Sequence, residues 1–403
     1  MADQVAAGSP GTAVGATEAA STSRPRSVAG TWGRALLVPV GAFVASRLMV
    51  LAAAGLATWI HPQLTIGGVL NGWDAGWFLS IATHGYPSTL ASSHGGGAWA
   101  FFPGVPAVLH GLVAVTAISY IRAGEVVGVL FGLTAVLAVW LAVRQEMGAE
   151  VADRTAILLS FFPAAYVLSM PYSEGLFLTA AALCIYLLGR RSWLLAGVAA
   201  SVASLARDPG IVLVGVCVVV GLVEVASRRT WRPLAAILTA PIGFVLWTLY
   251  QWHEVGSPIA FLHAEVYWGQ GLQWFGEPLL NLWHLVSLPG AWAQANEVLG
   301  GLSMVFVLVA VGLLVHAQLR GHPISLSWWL YAAGTVLVAL STHWGGSVPR
   351  FVMVVFPLLA IVAARVPRRF QPVVIAGAAM LEAGLAVVVF TTLATWQTAP
   401  FAP

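Results

Sequence analysis

The feature that most constrains this chain is a run of apolar stretches, each close to the ~20 residues that cross a bilayer, with nearly all of the cationic charge gathered in the short loops between them. They lie at 35–60, 101–120, 124–143, 155–170, 174–189, 193–206, 210–226, 233–250, 298–318, 324–342, 351–364 and 372–393. Backbone N–H and C=O groups cannot stay unpaired in hydrocarbon, so such a series folds as helices. A mean hydropathy of +0.87 with only 8% charged residues could not clothe a soluble domain, whose surface needs about a quarter charged side chains. The expected fold class is an all-α polytopic membrane protein. Residues 1–30, rich in Ala, Gly, Ser and Thr and without apolar periodicity, read as a disordered cytoplasmic tail. Residues 31–403 read as one integral-membrane domain, whose first apolar stretch is too long and starts too late for a cleaved signal peptide.

All 18 basic residues are arginines, and their spacing predicts the topology. Arg144, Arg154, Arg190, Arg191, Arg228, Arg229, Arg232, Arg320, Arg365, Arg368 and Arg369 fall on alternate loops and therefore share one side. Arg24, Arg26 and Arg34, ahead of the first helix, belong on that same cytoplasmic side by the positive-inside rule. Twelve crossings would put them on the opposite side. The conflict disappears if 101–120, "FFPGVPAVLHGLVAVTAISY", with two prolines and two glycines, lies along the outer interface instead of crossing. About 11 transmembrane helices remain, with interfacial helices in a first outer loop at 61–123 and a long outer loop at 251–297. Several of these spans are short, a property of helices that border a cavity.

Whole classes of function drop out. No basic stripe with interleaved aromatics is present, which argues against nucleic acid as a partner. Cys184 and Cys217 sit in apolar runs without CxxC spacing and read as packing residues. His253, His263 and His284 lack metal-ligand spacing, so no metal is expected. No dinucleotide fingerprint or phosphate loop is visible, and no cofactor is expected.

The unusual polar residues gather at the outer side. In "NGWDAGWFLSIATHGYP", Trp73, Trp77 and Ile81 recur at helical spacing, with Asp74 in the first turn. Its plainer reading is an acid favouring a helix start among interfacial aromatics; its sharper reading is a general base at the water–lipid boundary, walled by Trp73, Trp77 and Tyr86 for sugar stacking. In "MPYSEGLF", Glu174 either serves a helix start or, with Tyr172, grips sugar hydroxyls, and it is the second choice for the base. In "ARDPG", Asp208 reads as a helix cap, while Arg207, an arginine off the arginine-rich side, suits a lipid phosphate. "THWGGSVPR" offers His343 and Arg350 around two glycines that permit close approach of a ligand. Arg47 lies within the first span, where a charge needs a partner, and Asp74 or a donor phosphate is the expected one. The loop at 251–297 carries Trp252, Trp268, Trp274, Trp283, Trp292 and Glu265, and is expected to roof the site.

The ordered blocks "WDAGWFLSIATHGY", "AFFPGVP", "SFFPAAYVLSMPYSEGLFL", "ARDPGIVL", "GSPIAFLHAEVYWG" and "VPRFVMVVFPLL" resemble the PIG-V family of polyprenol-phosphate-mannose-dependent mannosyltransferases over about residues 35–365. The resemblance implies a GT-C glycosyltransferase whose catalytic acid, here Asp74, lies in the first outer loop beside flat helices. It also carries over Tyr172 and Glu174 in "YSE", Arg207, and Arg350 with Phe351 as an arginine–aromatic pair. The chain departs from the family at Gly72, where many relatives have arginine, at Phe78 in place of tyrosine, and at Asp208–Pro209 after Arg207. The implied reaction moves mannose from a polyprenyl-phosphate-mannose donor to a glycolipid or glycan acceptor among membrane lipids. Inversion is expected, at the extracytoplasmic face of what is expected to be a bacterial cell membrane. A flippase for lipid-linked sugars and a non-catalytic scaffold are the alternatives.

Overall fold

A computed structural model describes residues 28–91, 96–268, 280, 282–283, 287, 295–320, 324–341 and 347–394. The chain divides into two compact units, Met1–Leu37 and Val38–Pro403. In the first, the described part is the opening of α1 (Val28–Ile60); the second holds everything that follows.

Among the described residues every regular element is helical. After α1 come two short helices, α2 (Ile66–Leu70) and α3 (Asp74–His84), then α4 (Gly104–Thr116) and the long α5 (Tyr120–Met147). The middle of the chain supplies α6 (Ala149–Ser160), α7 (Ser173–Gly189), α8 (Trp193–Ala206), α9 (Gly210–Arg228), α10 (Leu234–Thr239), α11 (Ile242–Val255) and α12 (Ala260–Tyr267). The remainder forms α13 (Ala295–Leu319), α14 (Leu326–Leu340), α15 (Val348–Met353), α16 (Phe356–Arg365) and α17 (Gln371–Thr392). Among the described residues, six segments are long and apolar enough to cross a membrane: Gly33–Ile60, Tyr120–Met147, Gly210–Arg228, Leu234–Val255, Val298–Leu319 and Arg368–Thr392. Shorter apolar helices stand at Gly104–Thr116, Ser173–Gly189, Trp193–Ala206, Leu326–Ala339 and Phe356–Arg365.

The structure corrects one expected span. Residues 155–170 are not a single helix: α6 stops at Ser160, Phe161–Ala164 turn, a 3₁₀ turn covers Ala165–Ser169, and the chain is extended at Met170 and Tyr172 before α7. Pro163 is the cause, because it lacks an N–H and disfavours helix in the residue before it. The break frees carbonyls in a buried place, and Arg47 takes them. Its Nη1 donates to Ala165 O at 2.7 Å and to Ser169 Oγ at 2.8 Å, and its Nη2 donates to Ser160 O at 3.2 Å. The partner of that guanidinium is Glu382 of α17, at 2.9 Å, rather than Asp74 or a donor. Ser46 Oγ completes the cluster, 2.5 Å from Ser160 O and 2.9 Å from Glu382 Oε2, so that its one proton is shared between the two acceptors. The expectation that Arg47 faces the cavity is therefore corrected: an interrupted helix in an apolar bundle needs donors for its loose carbonyls.

The broken segment can lie flat because α5 offers it glycines. A Cβ on Gly128 would fall 2.7 Å from Met170 C, and one on Gly132 would fall 2.1 Å from Leu168 O. Side chains at these positions would lift the 168–172 backbone away from α5.

Two chemically different ends result. At one, Asn71 Nδ2 donates to Ile121 O at 3.2 Å, and Pro171 packs beside Gly124, which brings α2, the start of α5 and the start of α7 together. At the other, Glu146 Oε1 accepts from Ser325 N at 2.5 Å, Glu150 binds Arg368 at 2.8 Å and also Arg154, and Gly189 lies against Gln145. Arg191 and Arg228 both pair with Glu224 beyond that end of α7, at 3.4 and 3.0 Å. Arg154, Arg191, Arg228 and Arg368 are thus at the end opposite Asp74, as the loop spacing predicted. The pair α6 and 165–169 carries the chain between the ends despite the break.

Gly132→Ala should cost about 1–3 kcal/mol through overpacking, lower the melting temperature in detergent and reduce turnover with it. Gly111→Ala in α4, where an added Cβ meets nothing within 4 Å, should change neither. Equal melting temperatures for the two variants would contradict this account of the 168–172 segment.

Candidate active site

The site begins with a strained residue. Trp73, just before α3, has φ 55° and ψ −128°, a conformation open to glycine but costly, by about 1–3 kcal/mol, for a residue with a Cβ. Two contacts hold it there. The Trp73 indole Nε1 donates to Val389 O of α17 at 3.2 Å, and the Asp74 backbone N–H donates to the Tyr172 hydroxyl at 3.3 Å. The turn thereby aims the Asp74 carboxylate away from its own helix, toward α15.

There it meets Arg350, whose Nη1 lies 2.7 Å from Asp74 Oδ2 and 3.5 Å from Glu174 Oε1. Glu174 in turn pairs with Arg207 Nη1 at 2.5 Å. Four charges from α3, α15, α7 and the α8–α9 turn thus form a chain in the order Asp74, Arg350, Glu174, Arg207. Arg350 Nη2 donates to Ser347 Oγ at 2.9 Å, and its guanidinium carbon lies 5.3 Å from the Tyr172 ring and 5.9 Å from Phe351. The Arg207 guanidinium carbon lies 5.0 Å from the centre of the same Phe351 ring. Burial pulls the Arg350 guanidinium toward deprotonation, but Asp74 and then Glu174 more than offset this and hold it above its ordinary value. Burial, reinforced by Asp74, pushes the Tyr172 phenol well up, so it stays a neutral hydroxyl.

Asp74, Glu174, Arg207, Arg350 and Phe351 line a cavity of about 580 Å³ together with Trp73, Trp77, Phe101, Trp268, Asp208 and Glu265. Trp77 stacks on Phe101 at 5.6 Å, and Trp268 sets its edge to Trp77 at 5.4 Å. The third wall residue expected from the sequence is elsewhere. Gly85 at φ 80° ends α3 and turns Tyr86 under it, where the ring stacks on Trp99 at 4.7 Å and the hydroxyl donates to Phe101 O at 2.7 Å. Tyr86 supports Phe101 from behind, and burial holds its phenol well above its usual range. The tryptophans that line the cavity are Trp73, Trp77 and Trp268.

Of the residues singled out from sequence, Asp74, Trp73, Trp77, Glu174, Arg207 and Arg350 line the cavity, and Tyr172 touches Asp74 from beneath. Arg47 and Tyr86 do not line it, and His343, Trp274, His284 and Trp292 lie outside the described residues. Phe351 and Glu265, named from the sequence as an arginine's aromatic neighbour and as part of the roofing loop, also line the cavity, as does Asp208, which the sequence offered only as a helix cap. Burial raises the Asp208 carboxyl although Arg207 opposes it. Glu382 was missed: an acid inside an apolar run demands a buried partner, and Arg47 was the one arginine inside another. Cys184 and Cys217 are free, buried thiols with sulfurs 3.7 Å apart.

Two solved structures share this architecture. One is of ArnT from Cupriavidus metallidurans bound to undecaprenyl phosphate, with a TM-score of 0.50 and 15% identity over 87% of this chain and 76% of that one. The other is of the Archaeoglobus fulgidus oligosaccharyltransferase tethered with an acceptor peptide, with a TM-score of 0.50 and 13% identity over 91% of this chain. This chain spans about half of that protein, 56% of its length. The fold is the one shared by these membrane glycosyltransferases, the GT-C fold. Residues 46–230 match the profile of the family described as Mannosyltransferase (PIG-V), which agrees with the resemblance read from the sequence. No curated protein matches it by sequence.

The Glu265 carboxyl is pushed up to about 8, first by burial, then by Asp208 and Asp74, with Arg207 opposing. A carboxyl that is harder to ionise in the fold than in the unfolded chain holds its proton in the folded state. Stability is then lost as pH rises from the ordinary value of 4.5 to about 8. Glu265→Gln stays neutral and removes that slope. Its melting temperature should match wild type near the acid end of this window and exceed it increasingly toward the alkaline end. A difference constant with pH, or largest in acid, would refute the assignment.

Proposed function

We propose that this enzyme transfers a mannosyl residue from polyprenyl-phosphate-mannose to a hydroxyl of a lipid-linked or cell-surface acceptor. The observation that carries the reading is the contact of a partly exposed carboxylate, Asp74, with a buried guanidinium, Arg350, at 2.7 Å on the wall of an aromatic cavity. A base and an anion-binding group at adjacent points are what a transfer with a phosphate leaving group requires. The ArnT structure, bound to undecaprenyl phosphate, supports a lipid carrier for the donor by its shared fold.

In this reading Trp73 and Trp77 stack on the sugar, and Arg350 and Arg207 bind the phosphate. The acceptor oxygen attacks the anomeric carbon as the bond from that carbon to the phosphate oxygen breaks. The electron pair of the broken bond leaves with the polyprenyl phosphate, where Arg350 and Arg207 offset the developing charge. Asp74 accepts the proton of the acceptor hydroxyl. Attack from the face opposite the leaving phosphate inverts the anomeric configuration. The site faces away from the cytoplasm, because the arginine-rich end of the bundle is the cytoplasmic one under the positive-inside rule.

The test uses purified protein, radiolabelled polyprenyl-phosphate-mannose and a membrane lipid extract. A new labelled glycolipid of inverted configuration is expected, and Asp74→Asn should lower its rate by about 10²–10⁴-fold while the donor still binds. A flippase forms no new covalent product. Label that only changes leaflet, or an Asp74→Asn variant with full turnover, would overturn the reading.

A further inference from the structure

Both guanidiniums that face the cavity already have carboxylate partners. Arg207 holds Glu174 at 2.5 Å, and Arg350 holds Asp74 at 2.7 Å. A donor phosphate needs a guanidinium, and an acceptor hydroxyl needs an Asp74 oxygen that is not already engaged. Exchange at one ion pair meets both needs.

The two pairs are not equivalent. The Glu174 side chain is 1% exposed, so drawing away its cation would strand a charge in a low-dielectric interior. The Asp74 side chain is 33% exposed and can turn to water or to a hydroxyl at small cost. Arg350 itself is fixed independently of Asp74, by Ser347 at 2.9 Å, by Glu174 at 3.5 Å and by the Tyr172 and Phe351 rings. It can therefore change one partner without moving.

We propose that the donor's phosphate displaces Asp74 from Arg350, so that the base is released only when the donor is in place. The proposal rests on the assignment of Asp74 as base and Arg350 as phosphate contact. Its consequence is an ordered reaction. Before the donor arrives, Asp74 Oδ2 is engaged by Arg350; after it arrives, the phosphate occupies the guanidinium and the carboxylate faces the acceptor. Linkage makes the exchange measurable, since a ligand that must break an ion pair to bind does so more tightly once the pair is gone.

The experiment measures binding of a sugar-free polyprenyl monophosphate to the full chain in detergent or lipid nanodiscs, with the matching polyprenol as control. Asp74→Asn, inactive in transfer, should bind the monophosphate about tenfold more tightly than wild type, with polyprenol binding unchanged. Asp74→Ser should do the same, which guards against a fault peculiar to one variant. In the Arg350→Gln background, replacing Asp74 should make no difference. In unsubstituted protein, carbodiimide labelling of Asp74 should rise as the monophosphate saturates. Wild-type or weaker affinity in both Asp74 variants, with phosphate still preferred over alcohol, overturns the exchange, as does labelling that stays flat. If wild type does not prefer phosphate over alcohol, the assignment of Arg350 falls and this proposal falls with it.

Discussion

The structure depends on keeping ions paired where water is scarce. Each charge taken from water into an apolar bundle costs several kcal/mol unless another charge and well-placed hydrogen bonds offset it. The bundle contains two such solutions. In the Arg47 cluster, cation, acid and hydroxyl are joined with two loose carbonyls, and both charges are buried against each other. In the Asp74 chain, pairing is just as close, but it ends on a carboxylate that is one-third exposed to a cavity. The same physics gives a closed clamp in one place and a pair open to a cavity in the other.

These two clusters are linked by the interrupted helix between α6 and α7. Pro163 breaks it, Arg47 and Ser46 quiet its carbonyls, and the glycine face of α5 lets it lie close. Its far end delivers Tyr172 beneath Asp74 and Glu174 between the arginines. A straight span there would bury the same apolar surface, but it would not place a hydroxyl and an acid at one end of the bundle.

Much of this was legible in the sequence. Apolar length marked the helices, and alternate arginine loops separated the two ends, because charge that cannot cross hydrocarbon records which loops share a side. Asp74, Glu174, Arg207 and Arg350 stood out as ions away from the arginine-rich side, and the structure brings all four into one chain. Pairing across the chain was harder to read. Arg47 and Glu382 are separated by most of the sequence, and nothing local to either says which buried ion it meets. The break at 161–164 was visible only as a proline in an apolar run, which hydropathy averages away. Tyr86 was misplaced because the turn at Gly85 decides which side of α3 its ring reaches.

The backbone at Trp73 has a consequence for how this protein can change. Glycine would relax that turn at once and would raise folding stability on backbone grounds alone. It would also sever the indole tie to α17 and let the neighbouring acid swivel. The local tension is thus a maintenance cost of aim. Relief of the backbone and loss of aim would come from the same exchange.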